Sequence, residues 1–438
     1  MEKNELIAIL QDWNLWKQEL PSGIPRPAYL TQLKRLLKSR QVLVITGPRR
    51  AGKSFLMRQL ALELVRQGAE KSRTLMMNFE DPRLTEPGVH LLQQIYEAYR
   101  EFLAPPADPF LFLDEVQEID GWEKWVRTMH ELRKASLIIS GSNAKLLGRE
   151  LGTLLTGRHL DVTVLPLSFG EFLRFNGLTV KDPLDVASKQ VEIRGLFRRY
   201  LEYGAFPEVA LAENKKEILL GYFEDLVHKD LLRRFRIRKP NELKDLVKFY
   251  LSNAATLTTF NSMAKQLKIS TATVEKFSGY LEQVYLVSFL QRFSFKVREQ
   301  RKSPRKVYAV DTGLAHAVGF RFSENIGRMA ENLVFLALKR RQFFQPDMEL
   351  YYWKDIHHRE VDFVVKKGAR VVELIQVCWD LGAAPARKRE MQGLAKALRE
   401  FRQARGSVIT GEVEAQEEIQ GRKVRVVPLW RWLLQEEG

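Results

Sequence analysis

The sequence predicts an α/β protein, with a doubly wound parallel sheet at its N-terminal end and helical and mixed α/β segments after it. Three observations predict this. Apolar runs of strand length alternate with amphipathic stretches of helical spacing as far as residue 165. A glycine-rich loop, "GPRRAGKS" at 47–54, stands between the first such run and the first such stretch. A later run, "FLFLDE" at 110–115, ends in two adjacent acids.

Taken in order, "QVLVIT" (41–46) is a buried strand that ends at the glycine loop, and "FLMRQLALELVRQG" after it is a helix closed by Gly68. "TLMMNFE" (74–80), "FLFLDE" (110–115), "SLIISGS" (136–142) and "LDVTVL" (160–165) are further buried parallel strands. "GVHLLQQIYEAYREFL" and "GWEKWVRTMHELRKA" are helices between them. From residue 166 the pattern turns helical, with a Gly-Ala-Phe-Pro turn at 204–207, and reads as a small helical lid. Pro240 marks a boundary, because it disfavours a helix running through Lys239. "ELKDLVKFYLSNAA", "NSMAKQLKI" and "STATVEKFSGYLEQVYLV" are three helices, followed by two strands around a basic hairpin tip. Helix, helix, helix, basic hairpin is the order of a winged helix. The last segment has a helix, three strands, a long amphipathic helix over 386–405 and a final strand near 407–410. The expected divisions are an N-terminal helical extension (1–22), a phosphate-binding core (23–165), a lid (166–238), a winged helix (239–318) and a C-terminal α/β domain (319–438).

Composition narrows the function. The 438 residues are 45% hydrophobic and 28% charged, the balance of a folded chain and not a disordered one. No apolar run is long enough to span a bilayer, and the N-terminal stretch carries acids without a cleavage site, so neither membrane nor secretion is expected. Cys378 is the sole cysteine, which excludes an intrachain disulfide and makes the cytoplasm the default compartment. Lys plus Arg number 70 against 54 Asp plus Glu, a net charge of +16 that favours a polyanionic partner, nucleic acid first. A basic surface kept for solubility is the competing reading.

The loop fits G-x-x-x-x-G-K-[ST] at every fixed position. Gly47, Pro48, Arg49, Arg50, Ala51, Gly52, Lys53, Ser54 and Phe55 are therefore the candidate ATP-binding residues. Such a loop offers backbone N–H groups and a helix N-terminus to phosphate. The two glycines allow the close approach, Lys53 reaches the β- and γ-phosphates, and the Ser54 hydroxyl ligates Mg2+. Arg49 and Arg50 are expected to face solvent. Asp114, at the end of a strand beside the loop's own, is expected to hold Mg2+, and Glu115 to orient and deprotonate the attacking water. In "SGSN", Ser142 or Asn143, with Asn143 preferred, is placed to bond the γ-phosphate or the water; an ordinary polar turn is the alternative. Arg158 suits a finger to a neighbouring subunit's phosphate, against the alternative of a surface salt bridge, with Arg149 a second candidate.

The glycine loop, "LDEVQ", "SGSN", "GR…LPLSFGEF" and "YGAFPEV" occur in that order. Together they resemble a prokaryotic, mainly archaeal, family of AAA+-type P-loop ATPases over about residues 23 to 380. In that family the C-terminal half couples a winged helix to a restriction-endonuclease-like domain. The resemblance implies an AAA+ ATPase core with a helical lid, and a homo-oligomer, such as a hexameric ring, with sites shared between subunits.

The winged helix would present Ser270, Thr271, Thr273 and Lys276 from its second paired helix, and Lys296, Arg298, Arg301, Lys302, Arg305 and Lys306 from its hairpin tip, to duplex or branched DNA. A protein–protein joint is the competing use. In the C-terminal domain Glu331, Asp362 and the aligned pair Gln376 and Cys378 resemble a nuclease site in which an acid has become an amide and a lysine a thiol. With the cation missing, a DNA-binding or structural remnant is expected, and Cys378 reads as a small core residue. The sequence thus points to a Mg2+-dependent ATPase coupled to DNA binding or remodelling. A nucleotide-controlled switch holding protein partners and an ATP-regulated nuclease are the alternatives.

Overall fold

The computed structural model describes residues 2–85, 88–142, 157–319, 326–382, 384–419 and 421–436. They divide into two compact units, Met1–Val164 and Leu165–Gly438.

In the first unit the described elements are α1 (Lys3–Trp13), α2 (Pro27–Leu37), β1 (Val42–Thr46), α3 (Lys53–Arg66), β2 (Thr74–Asn78), α4 (Val89–Leu103), β3 (Phe110–Asp114), α5 (Trp122–Glu131), β4 (Ser136–Gly141) and β5 (His159–Thr163). The five strands form one sheet in the order β2-β3-β4-β1-β5, every pair parallel. Val42, Leu43, Val44 and Ile45 are all fully buried, as expected of a strand covered on both faces. One expectation is corrected. β3 does not neighbour β1, because β4 pairs with both and lies between them. Local sequence carries no strand order, so the inserted strand was invisible to it.

The N-terminal extension is part of this unit. Asn14 covers the edge of β2 in the manner of a strand. Its amide donates to the Met76 carbonyl at 2.8 Å and accepts from the Met76 N–H at 2.7 Å. The Trp16 indole donates to the Thr74 carbonyl at 2.7 Å. An edge that would otherwise present free amide groups is thereby closed.

The second unit opens with helices Phe169–Phe175, Pro183–Ser188, Gln190–Tyr203, Pro207–Leu211 and Lys215–Asp225, the last running into a π-helical turn at Leu226–Arg233. The "YGAFPEV" motif has a packing role here. The Asp311 carboxylate accepts from the Ala205 N–H at 2.6 Å and the Leu314 N–H at 2.9 Å. A Cβ on Gly204, whose φ is +74°, would fall 2.0 Å from that carboxylate. Burial pushes the Asp311 carboxyl up to about 6, against the pull of its backbone hydrogen bonds.

Helix Pro240–Ser252, β6 (Thr256–Thr258), helices Phe260–Leu267 and Thr271–Gln283, β7 (Val287–Leu290) and β8 (Arg305–Ala309) follow. The strands form an antiparallel sheet in the order β6-β8-β7. The expected hairpin is shorter than its sequence suggested, and its tip holds a helical turn, Val297–Lys302. After helices Thr312–Val318 and Ile326–Phe344 comes a mixed sheet of β9 (Met348–Lys354), β10 (Glu360–Lys367), β11 (Arg370–Val377), β12 (Arg405–Thr410), β13 (Ala415–Ile419) and β14 (Arg422–Pro428), ordered β13-β14-β12-β11-β10-β9. Sequence reading missed β13 and β14. β13, "AQEEI", is largely exposed and carries two adjacent acids, so it lacks an apolar face to read.

Candidate functional site

Parallel strands put their C-terminal ends together, so the β1 loop and the β3 acids share one rim of the first sheet. Gly47 turns the chain out of β1 at φ +141°, where a Cβ would lie 2.1 Å from the Val164 carbonyl oxygen. That neighbour is backbone and cannot step aside, so no side chain fits there. Gly52 caps α3 in the left-handed region at φ 93°. Arg50 also has positive φ, at 68°.

Lys53 is buried at 4% exposure and folds back across the loop. Its ammonium donates to the carbonyls of Gly47 and Pro48, both at 3.2 Å, and lies 3.4 Å from a Glu115 carboxylate oxygen. The cation is thus held between the loop carbonyls and the acid. The Ser54 hydroxyl hydrogen-bonds the Asp114 carboxylate, which also accepts from the Ser140 hydroxyl and, at 3.3 Å, from the Asn78 amide. Burial raises the Asp114 carboxyl above the usual carboxylate range. The adjacent Glu115 charge adds to the rise, and Ser140, Ser54 and Lys53 oppose it.

Glu115 takes a left-handed backbone, φ 52° and ψ 45°, unusual for a side chain of its size. Its N–H donates to the Ser140 hydroxyl at 3.2 Å and its carboxylate accepts from the Gln117 amide at 2.6 Å. The kink aims Glu115 away from the line of β3 and toward Lys53. The donor set around Ser54 and Asp114 is a hydroxyl and a carboxylate, both hard oxygens. That fits Mg2+, which takes one or two protein oxygens and completes its shell with water and phosphate. Among the described residues no group of three or more His, Cys, Asp or Glu forms a metal cage of protein alone.

Of the remaining loop residues, Pro48 and Ala51 are buried and Arg50 is exposed. Arg49 does not simply face solvent, because both its terminal nitrogens bond Glu80, at 2.8 and 3.2 Å. Phe55 is 45% exposed, and a Cβ on Gly23 would lie 3.0 Å from its ring. Ser142 is buried, and its hydroxyl has no hydrogen-bond partner among the described residues. Asn143 and Arg149 lie outside the described residues. Arg158 ion-pairs Glu131, which also binds Arg127. Arg158 precedes β5, and its carbonyl accepts from the Val42 N–H at the start of β1. It therefore sits at the opposite end of the sheet from its own loop, a strand length of about 17 Å away.

Sequence reading missed the supports. Arg26, 3% exposed, donates to the Ala51 carbonyl at 3.0 Å and lies 4.5 Å from the Tyr29 ring centre, bracing the loop from below. Gln59 straps the segment before α2 to α3, through the carbonyls of Ser22 at 2.7 Å and Ile24 at 2.9 Å. These residues belong to no contiguous motif.

A second cluster lies in the other unit. Lys306 is not an exposed tip cation; it is 3% exposed. On β8 it alternates with Arg305, which lies 5.0 Å from the Phe260 ring centre, so one faces the strand's outer side and the other the core. The Lys306 ammonium meets Asp362 at 2.7 Å, Glu360 at 2.7 Å and Glu331 at 2.9 Å. An ammonium has three donors, and these three carboxylates use them all. The Tyr308 hydroxyl donates to Glu331 at 2.7 Å, and the Gln376 amide donates to Asp362 at 2.8 Å and also to Glu390. The structure therefore gathers Glu331, Asp362 and Gln376, and corrects the expectation that the cluster lacks a cation. Lysine arrives from β8 and not from the adjacent strand. Cys378 stays apart, buried in apolar surroundings with its thiol 3.6 Å from the Asp380 carbonyl.

Burial would lower the Lys306 ammonium, but Asp362 and Glu331 reverse this and hold it well above its usual value. Burial and the Asp362 charge push the Glu331 carboxyl up to about 8, from 4.5, against the pull of Lys306 and Tyr308. The folded state then binds more protons than the unfolded between those values. Stability present at low pH is lost as pH rises toward about 8. Glu331→Gln removes this ionisation. From about pH 5 to about pH 8 the urea midpoint should fall further for the wild type than for the variant, by the equivalent of about 2 kcal/mol or more.

Of the other predicted nucleic-acid residues, Ser270 caps helix Thr271–Gln283 through the Thr273 N–H at 3.1 Å. Thr271 donates to Asn261 at 3.1 Å, and Lys276 lies 5.9 Å from the Tyr280 ring centre.

Residues 39–173 match the family model of an AAA domain. Residues 194–325 and 326–432 match two domains of unknown function, DUF8612 and DUF4143. The uncharacterized protein MJ1544 of Methanocaldococcus jannaschii is 32% identical over 408 residues, covering 90% of this chain and 88% of that one. An uncharacterized protein of Haemophilus influenzae is 30% identical over 421 residues, covering 94% of this chain and 99% of that one. Among solved structures, the Walker-type ATPase PABY2304 of Pyrococcus abyssi aligns with a TM-score of 0.41 and 16% identity, over 70% of this chain and 99% of that one.

Proposed function

The chain belongs to the family of these Methanocaldococcus and Haemophilus proteins, and on that premise we propose that it is a Mg2+-dependent AAA+-type ATPase that couples nucleotide turnover to DNA binding. The observation that carries the reading is the convergence of Lys53, Ser54, Asp114 and Glu115 on one rim of the sheet. The loop amides and Lys53 bind the β- and γ-phosphates. Ser54 and Asp114 hold the metal, which when bound neutralises phosphate charge. Glu115 orients the attacking water and takes its proton. Ser142, whose buried hydroxyl has no hydrogen-bond partner among the described residues, is the described residue best suited to bond the γ-phosphate side of the site. Arg158 cannot reach its own loop, so a finger role requires a homo-oligomer in which it leaves Glu131 for a neighbour's phosphate.

Residues 166–238 act as the lid, 239–318 as a winged helix and 319–438 as an endonuclease-like domain. The order of three helices and a three-stranded antiparallel sheet supports the second assignment. The +16 net charge supports a DNA partner. The saturated Lys306 cluster favours a structural role for the last domain over cleavage. Phosphate release should rise when duplex or forked DNA is added, and should be lost with or without DNA in Lys53→Ala. Turnover that is indifferent to DNA at low salt would favour the nucleotide-controlled switch instead.

A further inference from the structure

The chain from Arg292 to Lys306 sorts its cations by partner. Arg292 donates to the Lys354 carbonyl, Lys296 pairs with Glu299 at 3.4 Å, Arg305 covers Phe260, and Lys306 is buried. Among the described residues Arg298, Arg301 and Lys302 are exposed and have no ion-pair partner. On the turn Val297–Lys302 they stand three and four positions apart, so they line one side of it. Glu299, the acid in this turn, is held by the Ser294 hydroxyl at 3.0 Å as well as by Lys296.

Two large apolar side chains lie beside these cations. Phe295 is 80% exposed and Val297 61%. Phe295 stands on an aromatic base. Its ring stands edge-on to Phe293 at 5.1 Å, and Phe293 is buried edge-on against Tyr351 at 5.6 Å and Phe401 at 5.2 Å. An exposed ring on an aromatic base, flanked by free cations, has more than phosphate to bind. Cations alone suffice for a duplex backbone, whereas a ring gains only where a base face is open to it. One Phe and one Val are too small an apolar surface to hold a membrane.

We propose that Phe295 and Val297 form a wedge that stacks on the open base pair where a DNA duplex parts into single strands, while Arg298, Arg301 and Lys302 hold the adjacent phosphates. This rests on the DNA-binding reading above and adds the kind of DNA. The test is anisotropy with two labelled DNAs, a fork and a duplex whose two ends are closed by hairpins. The second offers the same backbone without an open base face. The full-length wild type should prefer the fork by about tenfold, the scale of one stacked base. Phe295→Ala should bring the two affinities within about twofold while binding the closed duplex as the wild type does. Phe295→Tyr, which keeps the ring, should keep the preference. Arg301→Ala with Lys302→Ala should weaken both DNAs alike and flatten the salt dependence. A fork preference that survives Phe295→Ala, or its absence in a wild type that binds both DNAs, would overturn the wedge and leave the DNA reading standing. Failure of the wild type to bind either DNA would sink the DNA reading itself. Phe295→Ala that loses binding to anionic phosphatidylserine vesicles, with DNA binding unchanged, would overturn the wedge in favour of a lipid surface.

Discussion

Glu115→Gln is expected to bind ATP as tightly as the wild type and to release phosphate slower by a factor of about 10² to 10⁴. The amide keeps the shape of the side chain and its contact with Gln117, so the left-handed kink and the loop should stand. What is lost is the basic oxygen that takes a proton from the attacking water. Removing a negative charge beside Asp114, whose carboxyl burial and Glu115 together raise, should also make Asp114 easier to ionise. Nucleotide affinity therefore should not fall. Steady-state phosphate release, set beside equilibrium ATP titration, separates the two effects. A parallel loss of affinity would mean that Glu115 shapes the pocket instead of acting on water.

Lys306→Met is expected to destabilise the second unit by about 3 to 5 kcal/mol, the usual cost of leaving buried carboxylates without their cation. Methionine nearly conserves the volume, so the change isolates charge. Asp362, Glu360 and Glu331 would then face one another across the vacated position. The deficit should shrink at low pH, where the acids accept protons, and this pH dependence distinguishes charge loss from poor packing. Urea unfolding at about pH 5 and about pH 7.5 measures both. A variant as stable as the wild type, with weakened DNA binding, would return Lys306 to the surface.

The two cases show what local sequence can carry. Gly47, Lys53, Ser54, Asp114 and Glu115 were legible because each belongs to a contiguous signal, a loop after a buried run or an acid pair at a strand's end. Their partners were not. Asn78, Ser140 and Gln117 matter through strand order and a backbone kink, and Arg26 through a fold-back beneath the loop. Lys306 misled because it stands in a basic run, "RKSPRK", whose composition suggests a surface tip. The alternation of "RKVYA" was the better signal, since it sets Lys306 and Tyr308 on one face of β8, where both meet Glu331. The long tip likewise read as plain hairpin, because six residues of helical turn leave too short a pattern to detect.

The most direct measurement is the chemical state of nucleotide held on the protein. Wild type and Glu115→Gln would each be incubated with ATP and Mg2+, separated rapidly from free nucleotide, and denatured to release what is bound. Hydrolysis at this site predicts mainly ADP on the wild type and intact ATP on Glu115→Gln. Equal conversion to ADP on both proteins, or no nucleotide on either, would contradict it.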